Sequence, residues 1–177
     1  AGQLSANGII FLINPAGIVL TPTAIVQAAG LVASSLELSD QAFLARQYQF
    51  EQPDGASPAV VVNRGLLRAT EPGGLIALLG GAVSNTGTIS TRFGTVVLAG
   101  GSQVTLSFEP DGQIAVAVDA PTTTLVVGPD GRVQDGAANA GRISAEGSTV
   151  LVTAAAAQQA FDRVVNQTGV IEAMSVT

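Results

Sequence analysis

The charged side chains that catalysis could use in this 177-residue chain are thirteen carboxylates and seven arginines. The sequence contains no histidine, cysteine or lysine. This composition removes the usual general base, the thiol nucleophile, the Schiff-base amine and most zinc sites. What remains for catalysis is an arginine or a carboxylate pair, as used by β-helix enzymes that cut acidic polysaccharides.

The acids are scattered along the chain rather than paired in a motif. Asp54, Asp111 and Asp130 each occupy the middle of a Pro-Asp-Gly sequence, which is typical of a surface turn. We therefore interpret the acids as turn residues and solvated faces rather than as catalysts. Calcium-binding repeats, phosphate-binding loops and dinucleotide fingerprints are also absent from the sequence. We expect no enzyme activity, no catalytic residues, no cofactor and no bound metal.

Asparagines recur at similar places in a repeated pattern, at Asn63, Asn85, Asn139 and Asn166. They could be ligand contacts. A structural role is favoured, because asparagine tolerates the left-handed conformation of a tight corner and because stacked amides hydrogen-bond to one another. We predict that the four form a ladder at one corner of a stacked structure.

The repeat around these asparagines reads N-x-G-x-I-x-A, then a gap, then G-x-x-V-x-L. Its copies begin 22 residues apart at Asn63 and Asn85, and 27 apart at Asn139 and Asn166. A unit of this length made of short strands cannot bury its apolar face alone, so it must stack on its neighbours. Aromatic residues are only 4% of the chain although hydrophobic residues are 47%. Ladders of small branched side chains explain that composition, and we predict an all-β fold, a parallel β-helix with three strands per coil.

Segments that break the period are expected to leave the coil. Between Asn85 and Asn139 we predict two hairpins packed outside the coil on one face, Gln103–Phe108 with Gln113–Val118 and Thr124–Val127 with Arg132–Gln134. The Ala-rich stretch 153–165 predicts one short helix, with another strand as the alternative. A further short helix is expected over Gln41–Gln47, capped at Ser39-Asp40. The chain is thus predicted to be a single domain, with coils in 1–102, hairpins in 103–135, and coils with the helix in 136–177.

Charge and hydropathy exclude several partners. The net charge of −6 does not suit nucleic acid or an anionic membrane surface. No apolar run approaches the roughly 18 residues that a spanning helix needs. We expect a monomer that neither binds nucleic acid nor inserts into a membrane.

The opening stretch is a strand, Ile9–Ile13, followed by the corner Asn14-Pro15-Ala16-Gly17 and a second strand from Ile18. Pro15 presets a turn and Gly17 tolerates a positive φ. This stretch resembles the two-partner secretion domain of filamentous-haemagglutinin-like exoproteins, whose corner reads N-P-N-G-I, with Ala16 here replacing the second asparagine. Similarity continues through residues 30–36, 39–44 and 100–118, so it covers nearly the whole chain.

The resemblance implies a right-handed parallel β-helix secreted by Gram-negative bacteria through the periplasm to the cell surface or beyond. It implies recognition by the periplasmic domains of a dedicated outer-membrane β-barrel transporter. The remainder of the exoprotein would carry the adhesin, haemolysin or toxin activity and any contact with a host cell. The family's capping strands would lie before Ala1, so we expect a partial domain. Asn14, Pro15, Gly17 and Ile18 are the secretion-motif residues that it indicates.

Two other functions stay open at this point. The chain could be a structural stalk or adhesin segment, or a carbohydrate-active β-helix enzyme. The role of Asn14 also has two interpretations, since the corner could position a recognition strand or seed the first coil.

Overall fold

A computed structural model of the chain describes residues 2–109, 113–157 and 160–173. These residues form nineteen short strands and one five-residue helix. The helix α1 is Asp40–Leu44. The strands in chain order are β1 Gln3–Ser5, β2 Ile9–Ile13, β3 Ile18–Leu20, β4 Ile25–Ala28, β5 Gly30–Ser34, β6 Tyr48–Glu51, β7 Val60–Asn63, β8 Leu66–Ala69, β9 Leu75–Gly80, β10 Ala82–Asn85, β11 Thr88–Arg92, β12 Thr95–Gly100, β13 Gln103–Phe108, β14 Ile114–Ala120, β15 Ala137–Asn139, β16 Arg142–Glu146, β17 Thr149–Ala154, β18 Val165–Gln167 and β19 Val170–Glu172.

Sixteen of these strands belong to three parallel sheets that the chain visits in rotation. Sheet 1 has the order β1-β4-β8-β11-β16-β19, sheet 2 the order β17-β12-β9-β5-β2, and sheet 3 the order β18-β15-β10-β7-β3. Each passage through sheets 1, 2 and 3 is one coil. Coil 1 is β1–β3, coil 2 is β4, β5 and β7, coil 3 is β8–β10, coil 4 is β11, β12 and β15, and coil 5 is β16–β18. The predicted parallel β-helix is confirmed.

The interior of the coils is filled by ladders of aligned apolar side chains. On sheet 1, Val26, Leu67, Ile89 and Ile143 are successive register partners, and all four are buried. On sheet 2, Leu31 faces Ile76 in the next coil, and sheet 3 is built in the same way. Because β-branched and aliphatic chains pack well on a pleated surface, such ladders need few aromatic residues.

The corner from sheet 3 to sheet 1 explains the glycine of the N-x-G repeat. A Cβ added to Gly87 would overlap the carbonyl oxygen of Gly65 in the preceding coil, and one on Gly141 would overlap that of Gly87. These glycines have no positive φ. Glycine is therefore required here because the stacked backbones approach closely, and not because the backbone adopts an unusual conformation.

The asparagines before these glycines form a buried stack. Nδ2 of Asn63 donates to Oδ1 of Asn85 at 2.8 Å, and Nδ2 of Asn85 donates to Oδ1 of Asn139 at 2.7 Å. All three side chains are buried. The backbone carbonyl of Asn63 also accepts two N–H groups from the next coil, those of Thr86 and Gly87. The proposed left-handed conformation is wrong, since positive φ in described residues other than glycine occurs at Arg46 and Phe93.

Asn166 is not part of this stack, contrary to the prediction. The strand register places Gln167 opposite Asn139 and places Asn166 opposite Ala138. Because successive side chains in a strand point to opposite faces, Asn166 turns away from the stack. Its Nδ2 donates instead to Asp135 at 2.6 Å. Nδ2 of Asn139 is left without a partner among the described residues.

Segments outside the coils all leave from one corner, between sheet 2 and sheet 3. Coil 2 carries an insertion at residues 35–59, which contains α1 and β6. The short helix was predicted there, but 1–102 was expected to consist of coils, and the departure of this segment from the coil was not predicted. Coil 4 carries the insertion 101–136, which contains β13 and β14. In coil 3 the same corner is closed by Gly81 alone, between β9 and β10.

The two insertions meet in one antiparallel sheet of β6, β13 and β14, called the outer sheet below. Its order is β14-β13-β6, and it covers the outward face of sheet 2. Phe50, Val104 and Leu106 of the outer sheet are buried against Leu79 and Val97. The first predicted hairpin is therefore confirmed outside the coil, apart from its tip at 110–112, which lies outside the described residues.

The second predicted hairpin is wrong in detail. The described residues 124–134 contain a single antiparallel bridge, between Val127 and Val133, and no strand. Val126 is instead buried on the outer face of sheet 3, beside Val60 and Val62. The segment therefore keeps a turn, in which the N–H of Gln134 donates to the carbonyl of Val126, and is anchored to the coil by the buried Val126 side chain.

The helix predicted at 153–165 is also wrong. Thr153 and Ala154 end strand β17, where they pair with Ala99 and Gly100 of coil 4. Residues 160–164 are irregular, and 158 and 159 lie outside the described residues. Parallel pairing to a preformed coil thus overrides the helix propensity of an alanine-rich stretch. The helix expected at Gln41–Gln47 occurs as Asp40–Leu44, with Oγ of Ser39 capping the N–H of Ala42.

We predict that Gly87→Ala destabilises the fold although it adds one methyl group. The new Cβ would collide with the backbone of coil 3, so we expect a loss of about 1–3 kcal/mol in the free energy of unfolding. Gly8→Ala is the matched control, because a Cβ there meets nothing within 4 Å, and its effect should stay within about 0.5 kcal/mol. Denaturant unfolding followed by circular dichroism measures both, and equal effects would contradict the proposed backbone contact.

We predict that Asn85→Ala lowers the free energy of unfolding by about 2–4 kcal/mol. The buried side-chain amides of Asn63 and Asn139 would each lose the hydrogen bond that they make with Asn85. Thr86→Ala, at the exposed neighbouring position, should cost about 0.5 kcal/mol or less. The same unfolding measurement applies. A loss for Asn85→Ala no larger than that of the control would show that the stacked amides contribute nothing to stability.

Candidate functional site

The candidate site is the corner that joins β2 to β3 in coil 1. Oδ1 of Asn14 accepts the N–H of Ala16 at 3.1 Å, and the backbone carbonyl of Asn14 accepts the N–H of Gly17 at 2.9 Å. Pro15 holds the intervening φ near the value that a turn needs. Gly17 has a φ of 99°, as its residue type predicts. The turn is therefore closed by bonds within four residues.

Three contacts seat this turn on coil 2. The N–H of Asn14 donates to the carbonyl of Ser34 at 2.9 Å. Ile18 directly after the turn is 7% exposed and joins the interior apolar cluster. A Cβ on Gly17 would lie 3.0 Å from the carbonyl oxygen of Val60. Gly17 is thus required both by its conformation and by its close approach to the neighbouring coil.

The outer side of the turn is open to solvent. The side chains of Asn14 and Ala16 are exposed, whereas Pro15 is half-buried. Oδ1 of Asn14 is used by the turn, while its Nδ2 has no partner among the described residues. The corner therefore presents one free amide donor on a fixed backbone.

A groove of about 630 Å³ lies beside the corner. Pro15 forms part of its wall, and the acids Glu37, Asp40, Glu51 and Asp54 line it without a basic side chain. Glu37 and Glu51 are paired across an antiparallel bridge. This bridge brings two carboxylate residues opposite each other, and the sequence did not indicate it because the two residues lie in different segments.

Both glutamates are exposed, and Oε1 of Glu51 accepts a hydrogen bond from Nε2 of Gln103 at 2.7 Å. Within residues 2–109, 113–157 and 160–173, no group of three acids could hold a metal ion. Those residues also contain no helix long and apolar enough to cross a membrane.

The secretion-motif residues and the asparagine stack occupy different corners. Asn14, Pro15, Gly17 and Ile18 lie between sheets 2 and 3, whereas the stack lies between sheets 3 and 1. The stack does not extend to coil 1, where Leu20 is the register partner of Asn63. Because the stacked amides are buried, they are unavailable to a ligand.

The structure contains an aromatic cluster beside the site that no pattern in the sequence indicates. The rings of Phe11 and Tyr48 stack at 5.6 Å, Phe43 meets Phe11 edge-on at 5.2 Å, and Phe108 meets Tyr48 edge-on at 5.0 Å. These four residues are among the seven aromatic residues of the chain, and their separation in sequence carries no periodic signal that would bring them together. Their meeting depends on the outer sheet.

Comparisons with known proteins agree with this architecture. A family model of the TPS secretion domain matches residues 1–177. The heme/hemopexin-binding protein of Haemophilus influenzae is 30% identical over 142 residues, which are 76% of this chain and 15% of that protein. The crystal structure of the HMW1 secretion domain from Haemophilus influenzae aligns with a TM-score of 0.62 and 29% identity, over 98% of this chain and 47% of that one.

The chain thus spans a small part of the curated relative and about half of the solved secretion domain. The corner Asn14–Ile18, the coil stack and the outer sheet all fall within the matched residues. The chain belongs to the family of TPS secretion domains, the two-partner secretion domains of exported exoproteins.

Proposed function

We propose that this domain directs a larger exoprotein to its outer-membrane transporter, whose periplasmic domains recognise it. TPS exoproteins are secreted through the periplasm to the cell surface or the medium. The observation that carries the proposal is the Asn14 turn, which is closed by hydrogen bonds spanning only two and three residues. Such a turn can form in a chain whose coils have not yet folded, so a transporter can meet it before export.

The free Nδ2 of Asn14 is the group that we assign to recognition. Its Oδ1 is occupied by the turn, and the N–H groups of Asn14 and Gly17 are used in the fold. An exposed donor on a rigid turn can bond a partner carbonyl with little loss of side-chain entropy. Pro15 and Gly17 then act by fixing the backbone, and Ile18 by starting the adjacent strand.

The strand β2, which ends directly before the Asn14 turn, is proposed as a second element that the transporter recognises. An extended apolar strand can add to the edge of a partner's sheet, where backbone groups provide affinity and alternate side chains provide selectivity. Strand β2 is the end strand of sheet 2 and reads Ile-Ile-Phe-Leu-Ile. We propose that it pairs with the transporter while the chain is extended.

We further infer that the domain has no catalytic activity of its own. The exposed Glu37 and Glu51 pair lacks the burial that a glycosidase acid needs. The adhesin, haemolysin or toxin activity and the host-cell contact would belong to the rest of the exoprotein. The domain itself would act as a monomer.

We predict that Asn14→Asp impairs secretion without impairing folding. The carboxylate keeps an acceptor for the N–H of Ala16 but removes the free donor, so export through the matching transporter should fall by about tenfold. Ala16→Asp is the matched control, since it adds the same charge to the same turn and leaves Asn14 intact. Released protein and the free energy of unfolding of the purified variants are measured together.

Equal export of Asn14→Asp and the wild type would contradict a recognition role for Nδ2. Equal loss in Asn14→Asp and Ala16→Asp would show that added charge, not the amide, is responsible. Asn14→Ala removes both groups and should lose export together with about 0.5–1 kcal/mol of stability.

We predict that the purified periplasmic part of the matching transporter binds this chain, whereas a stalk segment should not bind. The chain is diluted from denaturant into the transporter fragment, and binding is followed by calorimetry or by surface-based kinetics. Binding should be weaker for Asn14→Asp than for Ala16→Asp. Absence of binding by the wild-type chain, in both its diluted and its folded form, would favour the stalk.

A further inference from the structure

We infer that the outer sheet is a clasp that makes coils 1–4 fold as one unit rather than coil by coil. In a solenoid, each coil contacts only its neighbours, so folding can spread one coil at a time. The outer sheet departs from that pattern because it joins segments of non-adjacent coils. Its strands β6, β13 and β14 come from the insertions of coils 2 and 4, across coil 3.

The pairing between β6 and β13 closes a long loop. Phe50 faces Val104 and Tyr48 faces Leu106 in antiparallel register. The Nε2 of Gln103 donates to Glu51, 52 residues away, at 2.7 Å. Closing a loop of this length costs chain entropy before any contact is gained. The clasp therefore forms late, or together with the coils that bring its ends near.

The coils in turn depend on the clasp to cover their outer face. Leu79, Val97 and Ala99 point outward from sheet 2 and are fully buried under the outer sheet. Without Val104 and Leu106 above them, these side chains would face water. Sheet 2 is thus apolar on both faces, so exposing its outer face to water would cost the hydrophobic stabilisation that the outer sheet provides.

The clasp also reaches the coils at either end. Tyr48 of β6 stacks on Phe11 of coil 1. Shortly after β14, Oγ1 of the buried Thr122 donates to the carbonyl of Gly81 in coil 3 at 2.9 Å, and its N–H donates to the carbonyl of Ala155, which follows β17 in coil 5. One insertion therefore holds coils 3, 4 and 5 in position.

For an exported chain, the clasp sets a minimum length of chain that must have left the transporter pore before the outer sheet can form. Residues 48–108 must be free of the transporter pore together before β6 and β13 can meet, whichever end of the chain leads. This consequence rests on the proposed function, whereas the coupling between clasp and coils does not, so the two can fail separately.

The test is refolding of the purified full chain from denaturant. Tyr48 is the chain's only tyrosine, and there is no tryptophan, so intrinsic fluorescence reports the clasp while far-ultraviolet circular dichroism reports the coils. We expect both signals to change in one phase with one rate. Full recovery of the dichroism before the fluorescence changes would overturn the inference.

Leu106→Ala should slow recovery of both signals by about tenfold, since it removes a buried clasp side chain that is needed at the limiting step. Leu44→Ala is the control, because Leu44 lies in the insertion of coil 2 and is 81% exposed, and it should refold at the wild-type rate. A Leu106→Ala chain whose dichroism recovers as fast as the wild type would contradict the coupling.

A disulfide variant keeps the inference testable if Leu106→Ala does not fold. The pair Glu51→Cys and Gln103→Cys occupies directly opposed positions of the clasp, and the chain has no other cysteine. The oxidised chain starts with the long loop closed, so it should refold about tenfold or more faster than the reduced chain. Equal rates would show that clasp closure does not limit folding.

Discussion

The structure depends on how closely successive coils approach at the corner between sheets 3 and 1. There the backbone of one coil lies so near the next that no Cβ fits between them, and glycine occupies Gly65, Gly87, Gly141 and Gly169 in turn. This contact fixes the register of the strands on either side. The apolar ladders and the buried amide stack follow from that register, because a slip of one residue would turn every side chain to the opposite face.

Asparagine has two roles that share one local geometry. Oδ1 of Asn14 accepts the N–H two residues ahead, and Oδ1 of Asn63 does the same with Gly65 at 3.1 Å. At Asn63 the remaining Nδ2 bonds the next coil in a buried place, where an unpaired amide is costly. At Asn14 it faces solvent, where a free donor costs little and is available to another molecule. The surroundings, not the residue type, separate the structural amide from the one proposed for recognition.

The sequence was informative wherever structure is local or repeated. The N-x-G period predicted the coils, the Asn14 corner predicted its own turn, and Ser39 predicted a helix start. It failed where distant segments decide the outcome. Only the pairing of β18 with β15 turns Asn166 away from the stack and places Gln167 opposite Asn139, and the Gln167 amide bonds the carbonyl of Gly169 instead of extending the stack. Residues 153 and 154 have helix propensity, but an existing strand edge captures them. The hairpin of β13 and β14 was predicted, but nothing local marks β6 as the partner of β13, so the three-stranded outer sheet and the aromatic cluster could not be foreseen.

The placement of every insertion at the corner between sheets 2 and 3 has a consequence for how such a domain can diversify. Coil 3 crosses that corner with Gly81 alone between β9 and β10, while coil 4 crosses it with more than thirty residues, and the strands on both sides stay paired in parallel register. The length of an insertion at this corner is therefore independent of how the coils stack on one another. Related chains can therefore gain, lose or exchange surface segments at the corner between sheets 2 and 3 without changing the stacked coils.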